Sequence, residues 1–126
     1  MSNILVDTDI LINFLRGREK AKYYLLSILE ESTIYCSVIT VVEIYAGMRE
    51  HEKTKTTELI DSLNIVDVTR DIAEKAGEYK RQGKGHILEL ADCIIASTAL
   101  IKNAILATGN EKHYPMHDIK KTVVKM

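Results

Sequence analysis

Apolar positions along the chain switch between short runs and longer stretches at helical spacing. Ile4, Leu5 and Val6 form a compact, partly β-branched run that ends on Asp7. Ile10, Leu11, Phe14 and Leu15 then recur at helical spacing until Arg16-Gly17 supply a stop, so the opening reads strand, turn, helix. The pattern predicts a helix from about Lys20 to Glu31, on Ala21, Tyr24, Leu25, Ile28 and Leu29, and a strand from Thr33 to Cys36. Ser37 follows as a good N-cap for a helix running to about Glu50. Glu52 to Leu63 is polar and lysine-rich with a narrow apolar stripe. A strand from Ile65 to Val68, an amphipathic helix from Asp71 to about Gln82 and a loop at Gly83-Lys84-Gly85 come next. Leu88 to Lys102 reads as a helix that is apolar nearly all round, Ile105-Leu106-Ala107 as a buried strand and Val123-Val124 as a last edge strand.

Short strands alternating with helices imply a parallel sheet, because parallel neighbours need helical crossovers. The expected fold is a three-layer α/β/α sandwich with a mainly parallel central sheet of four to five short strands, and the 126 residues suit one domain over 1–126. In such sheets chemistry gathers beyond the carboxyl ends of the strands. Three of those ends meet polar residues: Asp7, the segment Ser37 to Glu43, and Thr108-Gly109-Asn110.

Three acids stand out against this pattern. Asp7, between strand and helix, serves either as a cap of the first turn or as a site residue. Glu43 sits between Val41-Val42 and Ile44-Tyr45-Ala46, and Asp92 lies in a helix whose Leu88, Leu90, Ile94, Ile95, Ala99 and Leu100 wrap every side. A buried, unpaired carboxylate costs several kcal/mol, a large share of the roughly 5–15 kcal/mol that holds a small domain together. No basic residue lies within a helical turn of Glu43 or Asp92. Hard carboxylate oxygens are natural ligands of Mg²⁺ or Mn²⁺, and such an ion activates water against a phosphodiester. Carboxylates paired structurally across the fold remain the alternative reading of the same pattern.

Composition narrows the choice. The 46% hydrophobic and 28% charged content is that of an ordinary globule. No apolar run approaches the roughly 20 residues of a membrane span, and the N-terminus lacks the pattern of a secretory signal, so a cytoplasmic protein is expected. A formal net charge of −1 gives no global attraction to nucleic acid, so any RNA contact must be local. Basic residues cluster at Arg16, Arg18, Lys20 and Lys22 and again at Lys80, Arg81, Lys84 and His86, as solvated helix faces often do. Cys36 and Cys93 read as buried reduced thiols, and His51, His86, His113 and His117 lack zinc-site spacing and read as surface residues.

At this point the residues resemble the PIN-domain family, and within it the VapC toxins, over nearly the whole chain. Ile4-Leu5-Val6-Asp7-Thr8-Asp9-Ile10-Leu11-Ile12 resembles the first motif of that family, in which the first Asp binds metal. Thr40-Val41-Val42-Glu43-Ile44-Tyr45-Ala46-Gly47 is similar to the second, Leu90-Ala91-Asp92-Cys93-Ile94-Ile95-Ala96-Ser97-Thr98-Ala99 to the third, and Leu106-Ala107-Thr108-Gly109-Asn110-Glu111-Lys112-His113-Tyr114 to the fourth. The resemblance implies a Mg²⁺- or Mn²⁺-dependent endoribonuclease with Asp7, Glu43 and Asp92 as its catalytic and metal-site acids. It also implies a cognate VapB-like antitoxin and a homodimer; the composition implies no membrane partner, and the amphipathic stretches Glu19 to Glu31 and Glu52 to Leu63 offer a surface for such partners or, more commonly for an apolar stripe, simple core packing.

The fourth motif departs from the acidic pattern, because many relatives carry a carboxylate either where this chain has Asn110 or where it has His113. Asn110 then offers a carbonyl oxygen or holds a ligating water, while Thr108, Thr40, Asp9 and Glu89 are auxiliary positions. Asp7-Thr8-Asp9 is also similar to the haloacid-dehalogenase phosphatases, with Asp7 as nucleophile and Asp9 as general acid. That family expects Thr or Val at Leu11 and a later Lys with paired acids, which this chain does not offer. A further alternative is a PIN fold that has lost catalysis and only binds RNA or protein; three retained, costly acids argue against it.

Overall fold

Residues 2–84 and 87–126 are described by the computed structural model. Five strands, β1 (Ser2–Val6), β2 (Ser32–Ser37), β3 (Asn64–Val66), β4 (Ile105–Thr108) and β5 (Lys120–Val123), run parallel in the order β3-β2-β1-β4-β5. The helices between them are α1 (Thr8–Leu15), α2 (Glu19–Ile28), α3 (Val38–Gly47), α4 (Lys53–Asp61), α5 (Arg70–Gln82) and α6 (Leu90–Ile101). Single 3₁₀ turns occupy Glu50–Glu52 and Glu111–His113.

Side chains alternate across β1, and the alternation separates two cores. Leu5 points into a core with Tyr79, Cys93, Ile95, Ala96 and Leu106, built on α5 and α6. Ile4 and Val6 point into a core with Ile10, Leu11, Ala21, Ile44 and Ile60, built on α1 to α4. That is the expected three-layer α/β/α sandwich, with a sheet that is parallel throughout.

The strand order reverses direction at β1, whose neighbours are β2 on one side and β4 on the other. A crevice forms beyond the strand ends at such a switch point, because the connections leave on opposite faces of the sheet. β1 runs out at Val6 directly before Asp7, and β4 at Thr108 directly before Gly109. The Asp7 N–H donates to Ala107 O at 2.9 Å, so the two ends are fastened together where the polar residues begin.

Several boundaries differ from the pattern-based expectation. The helix opened by Ser37, whose hydroxyl accepts the Ile39 N–H at 3.1 Å, ends at Gly47, and Met48 is already extended. The stretch Glu52 to Leu63 splits into a 3₁₀ turn and α4. The last strand is Lys120–Val123, earlier than Val123-Val124, because an edge strand can carry solvated lysines on a sheet margin that apolar counting overlooks. Two helices expected to be wrapped by apolar neighbours each keep one open side: Val42 on α3 is 58% exposed and Leu90 on α6 is 61% exposed. Cys36 and Cys93 are buried and unbonded to each other, as expected, and burial pushes the Cys36 thiol up to about 11. Gly85 of the expected loop and His86 of the second basic cluster lie outside the described residues. No helix among the described residues is long and apolar enough to cross a membrane.

Candidate functional site

A cleft of about 390 Å³ opens at the switch point, lined by Asp7, Thr8, Asp9, Ile12, Glu43, Glu89, Ala91, Asp92, Asn110 and His113. It brings together all three acids singled out in the sequence, and also Asp9, Glu89 and Asn110. Its described lining holds five carboxylates and no lysine or arginine. Larger or better enclosed hollows exist elsewhere, but none of these, as lined by the described residues, gathers as many carboxylates.

Asp7 is 5% exposed and does both things its position allowed. Its Oδ1 accepts the Thr8 N–H at 2.8 Å, capping α1, and its Oδ2 accepts the Thr108 hydroxyl at 2.7 Å. Thr108, fully buried at the end of β4, also takes the Asn110 N–H onto its hydroxyl oxygen at 2.9 Å and so ties the loop after β4 to Asp7. Glu43, half-buried on α3, accepts the Thr8 hydroxyl on Oε1 at 2.7 Å, and Thr8 Oγ1 lies 2.9 Å from the Oγ1 of buried Thr40. Thr40 and Thr108 therefore stand behind the acids.

Asp9 is partly buried and spans two elements: Oδ1 accepts the Ile10 N–H and Oδ2 the Gly109 N–H, each at 2.9 Å. Burial first, and the charge of Asp7 second, raise its carboxyl to about 6. Asp92, in the first turn of α6, is 15% exposed on its side chain. Burial is the main reason its carboxyl is raised to about 6; Asp7 and Glu43 add to this, while His113 and Tyr114 oppose it. The acids thus feel one another, and neutral donors hold them more than cations do. The one ion pair that Asp7, Asp9, Glu43 or Asp92 makes among the described residues is His113 Nδ1 to Asp92 Oδ2, at 3.5 Å.

His113 is exposed, as expected of a surface histidine, and lies at the rim of the cleft beside Asp92. The 3₁₀ turn after Asn110 swings it back over α6, which spacing along the chain does not reveal. Glu89 and Asn110 line the cleft but are exposed. Tyr114, quoted above only within a motif, was missed as a site residue: fully buried, it donates its hydroxyl to Asp92 Oδ1 at 3.3 Å. An aromatic beside a histidine is an ordinary core signal, and only the fold shows that its hydroxyl reaches an acid.

Among the described residues no three His, Cys, Asp or Glu side chains form a ready-made ion cage. The donor set still fits a hard divalent cation. Mg²⁺ keeps several of its waters and binds through one or two carboxylates rather than a closed protein shell. A cleft of mutually repelling acids without a lysine or arginine has the electrostatic need that such an ion meets.

A family model described as "PIN domain" matches residues 4–118. The chain is 36% identical over 117 residues to Ribonuclease VapC10 of Mycobacterium tuberculosis, covering 91% of this chain and 88% of that protein. It is 36% identical over 116 residues to Ribonuclease VapC1 of Methanocaldococcus jannaschii, covering 90% and 79%. Among solved structures, a toxin–antitoxin complex from Klebsiella pneumoniae superimposes with a TM-score of 0.78 at 29% identity, over 92% of this chain and 94% of that one. VapBC2 from Rickettsia felis, bound to a DNA fragment from its promoter, superimposes with a TM-score of 0.83 at 23% identity, over 95% and 97%, and shows the shared fold.

Proposed function

Because the chain belongs to the PIN-domain family, we propose that it is a divalent-metal-dependent endoribonuclease and the toxin of a toxin–antitoxin pair. The observation that carries this reading is the convergence of Asp7, Asp9, Glu43 and Asp92 on one cleft at the ends of β1 and β4, held by backbone and hydroxyl donors without a lysine or arginine among the lining residues. The names of the relatives, ribonucleases of the VapC type, support the activity, and the toxin–antitoxin complex supports an antitoxin partner.

Asp7, Glu43 and Asp92 hold Mg²⁺ or Mn²⁺ in this reading, with Asn110 contributing its carbonyl oxygen directly or through water. The bound ion supplies an activated water and neutralises charge that builds on the phosphodiester. The residues do the rest by position. Thr8 and Thr108 donate to Glu43 and Asp7 and hold these carboxylates aimed at the cleft. Ile12 and Ala91 supply the apolar part of the lining beside the acids. RNA enters as single-stranded phosphate backbone, the form in which loops and ends present themselves to proteins. A VapB-like antitoxin, a homodimer and a cytoplasmic location complete the proposal.

The test is cleavage of total RNA by the purified chain, with new 5′ ends mapped. EDTA abolishes cleavage and Mn²⁺ or Mg²⁺ restores it. Full activity in EDTA defeats the mechanism.

A further inference from the structure

The ring of Tyr114 lies in the core with Leu5, Cys93 and Leu106, where a phenylalanine would fill the same space without a polar atom. Burying a hydroxyl costs free energy unless it is bonded, so its presence calls for a use. The hydroxyl reaches Asp92 Oδ1 at 3.3 Å, and both Asp92 and Asp7 bear on it electrostatically. Its backbone is fixed as well: the N–H donates to Glu111 O at 3.0 Å, and the carbonyl accepts Lys121 Nζ at 2.6 Å from β5. Tyr114 is thus a donor with a fixed backbone behind Asp92 on α6.

We propose that Tyr114 is a positioning residue of the cleft: its hydroxyl ties back Asp92 Oδ1 and leaves Oδ2 turned toward the ion and the RNA. The inference rests on the reading of the cleft as an ion site. His113 approaches the other oxygen, Oδ2, but its side chain is 53% exposed, so it lacks the fixed, dry setting of the tyrosine.

Tyr114→Phe removes only the oxygen and keeps the ring in the core. Mn²⁺ affinity, read by titration calorimetry, should fall at least about 10-fold, the scale of losing a partner behind a metal ligand. With saturating Mn²⁺, kcat should fall while KM for RNA holds, because RNA does not touch a fully buried side chain. Tyr79→Phe is the control: it loses the 2.7 Å bond to Asp118, away from the cleft, and should leave Mn²⁺ affinity at the parent value. Parent-like Mn²⁺ binding by Tyr114→Phe, or an equal loss in Tyr79→Phe, overturns the proposal.

A metal-free readout separates this result from the wider reading. Thermal midpoints of Tyr114→Phe, Asp92→Ala and the double variant should be non-additive, as expected of residues in contact. A parent that binds no Mn²⁺ defeats the ion site itself and with it the proposed role, whereas Mn²⁺ binding with an additive double variant defeats Tyr114 alone.

Discussion

At the residue scale, the account turns on charge placed where it is costly. Asp92→Asn keeps the shape and removes one charge from the cleft, so cleavage should fall at least about 100-fold, as when an ion-activated water loses its ion. Without metal the same variant should be as stable as the parent or more so, by about 1 kcal/mol at neutral pH, because its carboxyl is raised by burial and by Asp7 and Glu43. Normal cleavage, or an unfolded variant by circular dichroism, contradicts the assignment. Asn110→Asp adds a carboxylate to the cleft lining and should tighten Mn²⁺, since affinity for hard cations rises with ligand charge. His113→Asp should do the same, because its position faces Asp92; calorimetry on both variants decides which residue lines the ion. Glu43 and Asp92 were legible in the sequence because a charge inside an apolar helix breaks the pattern. Asp9 and His113 stood in the motifs, but their bonds to Gly109 and Asp92 were not legible, and Tyr114 was missed, because each of these contacts joins residues about a hundred or about twenty positions apart.

At the element scale, β1 and β4 matter through the turns that leave them. Gly109 follows β4, and a Cβ there would stand 2.5 Å from Asp9 Oδ2 and 3.2 Å from Val124 O. Gly109→Ala should therefore displace Asp9 and break its bond to the Gly109 N–H, costing on the order of 1–3 kcal/mol by chemical denaturation. Adding Asp9→Ala should recover only part of that loss, since the backbone oxygen of Val124 remains. Full parental stability of Gly109→Ala would show that the cradle is slack. The strands at Ile4–Val6 and Ile105–Ala107 and the Ser37 cap could be read from periodicity and capping chemistry alone. The edge strand could not, because Lys120 and Lys121 answer to pairing with β4 rather than to burial. The open sides of α3 and α6 escaped notice for a related reason: Val42 and Leu90 are apolar yet exposed, and composition does not say which side faces out.

At the scale of the whole molecule, the parallel sheet places the ends of β1 and β4 side by side, and the acids of three separate segments meet there. The layered architecture followed from alternating strands and helices; the reversal of strand order at β1 did not, because nothing local encodes which strand lies beside which. Gathering like charges also makes stability depend on pH. Asp9 and Asp92 are raised to about 6 in the folded chain, above their unfolded range, so their contribution is present at about pH 4 and lost as pH rises through about 6. The advantage of metal-free Asp92→Asn over the parent should accordingly widen from about pH 4 to about pH 7, by thermal melts in EDTA. A constant or narrowing gap would mean that Asp92 is not destabilised in the cleft.

Mn²⁺ titration calorimetry of the parent chain tests the central claim most directly, because it asks whether the acids form an ion site without presuming any RNA. Ions compete with protons for carboxylates. The account predicts saturable binding at about pH 7.5, weakening sharply at about pH 5 and lost in Asp92→Asn. Absence of binding at about pH 7.5, or binding that survives unchanged in Asp92→Asn, would contradict it.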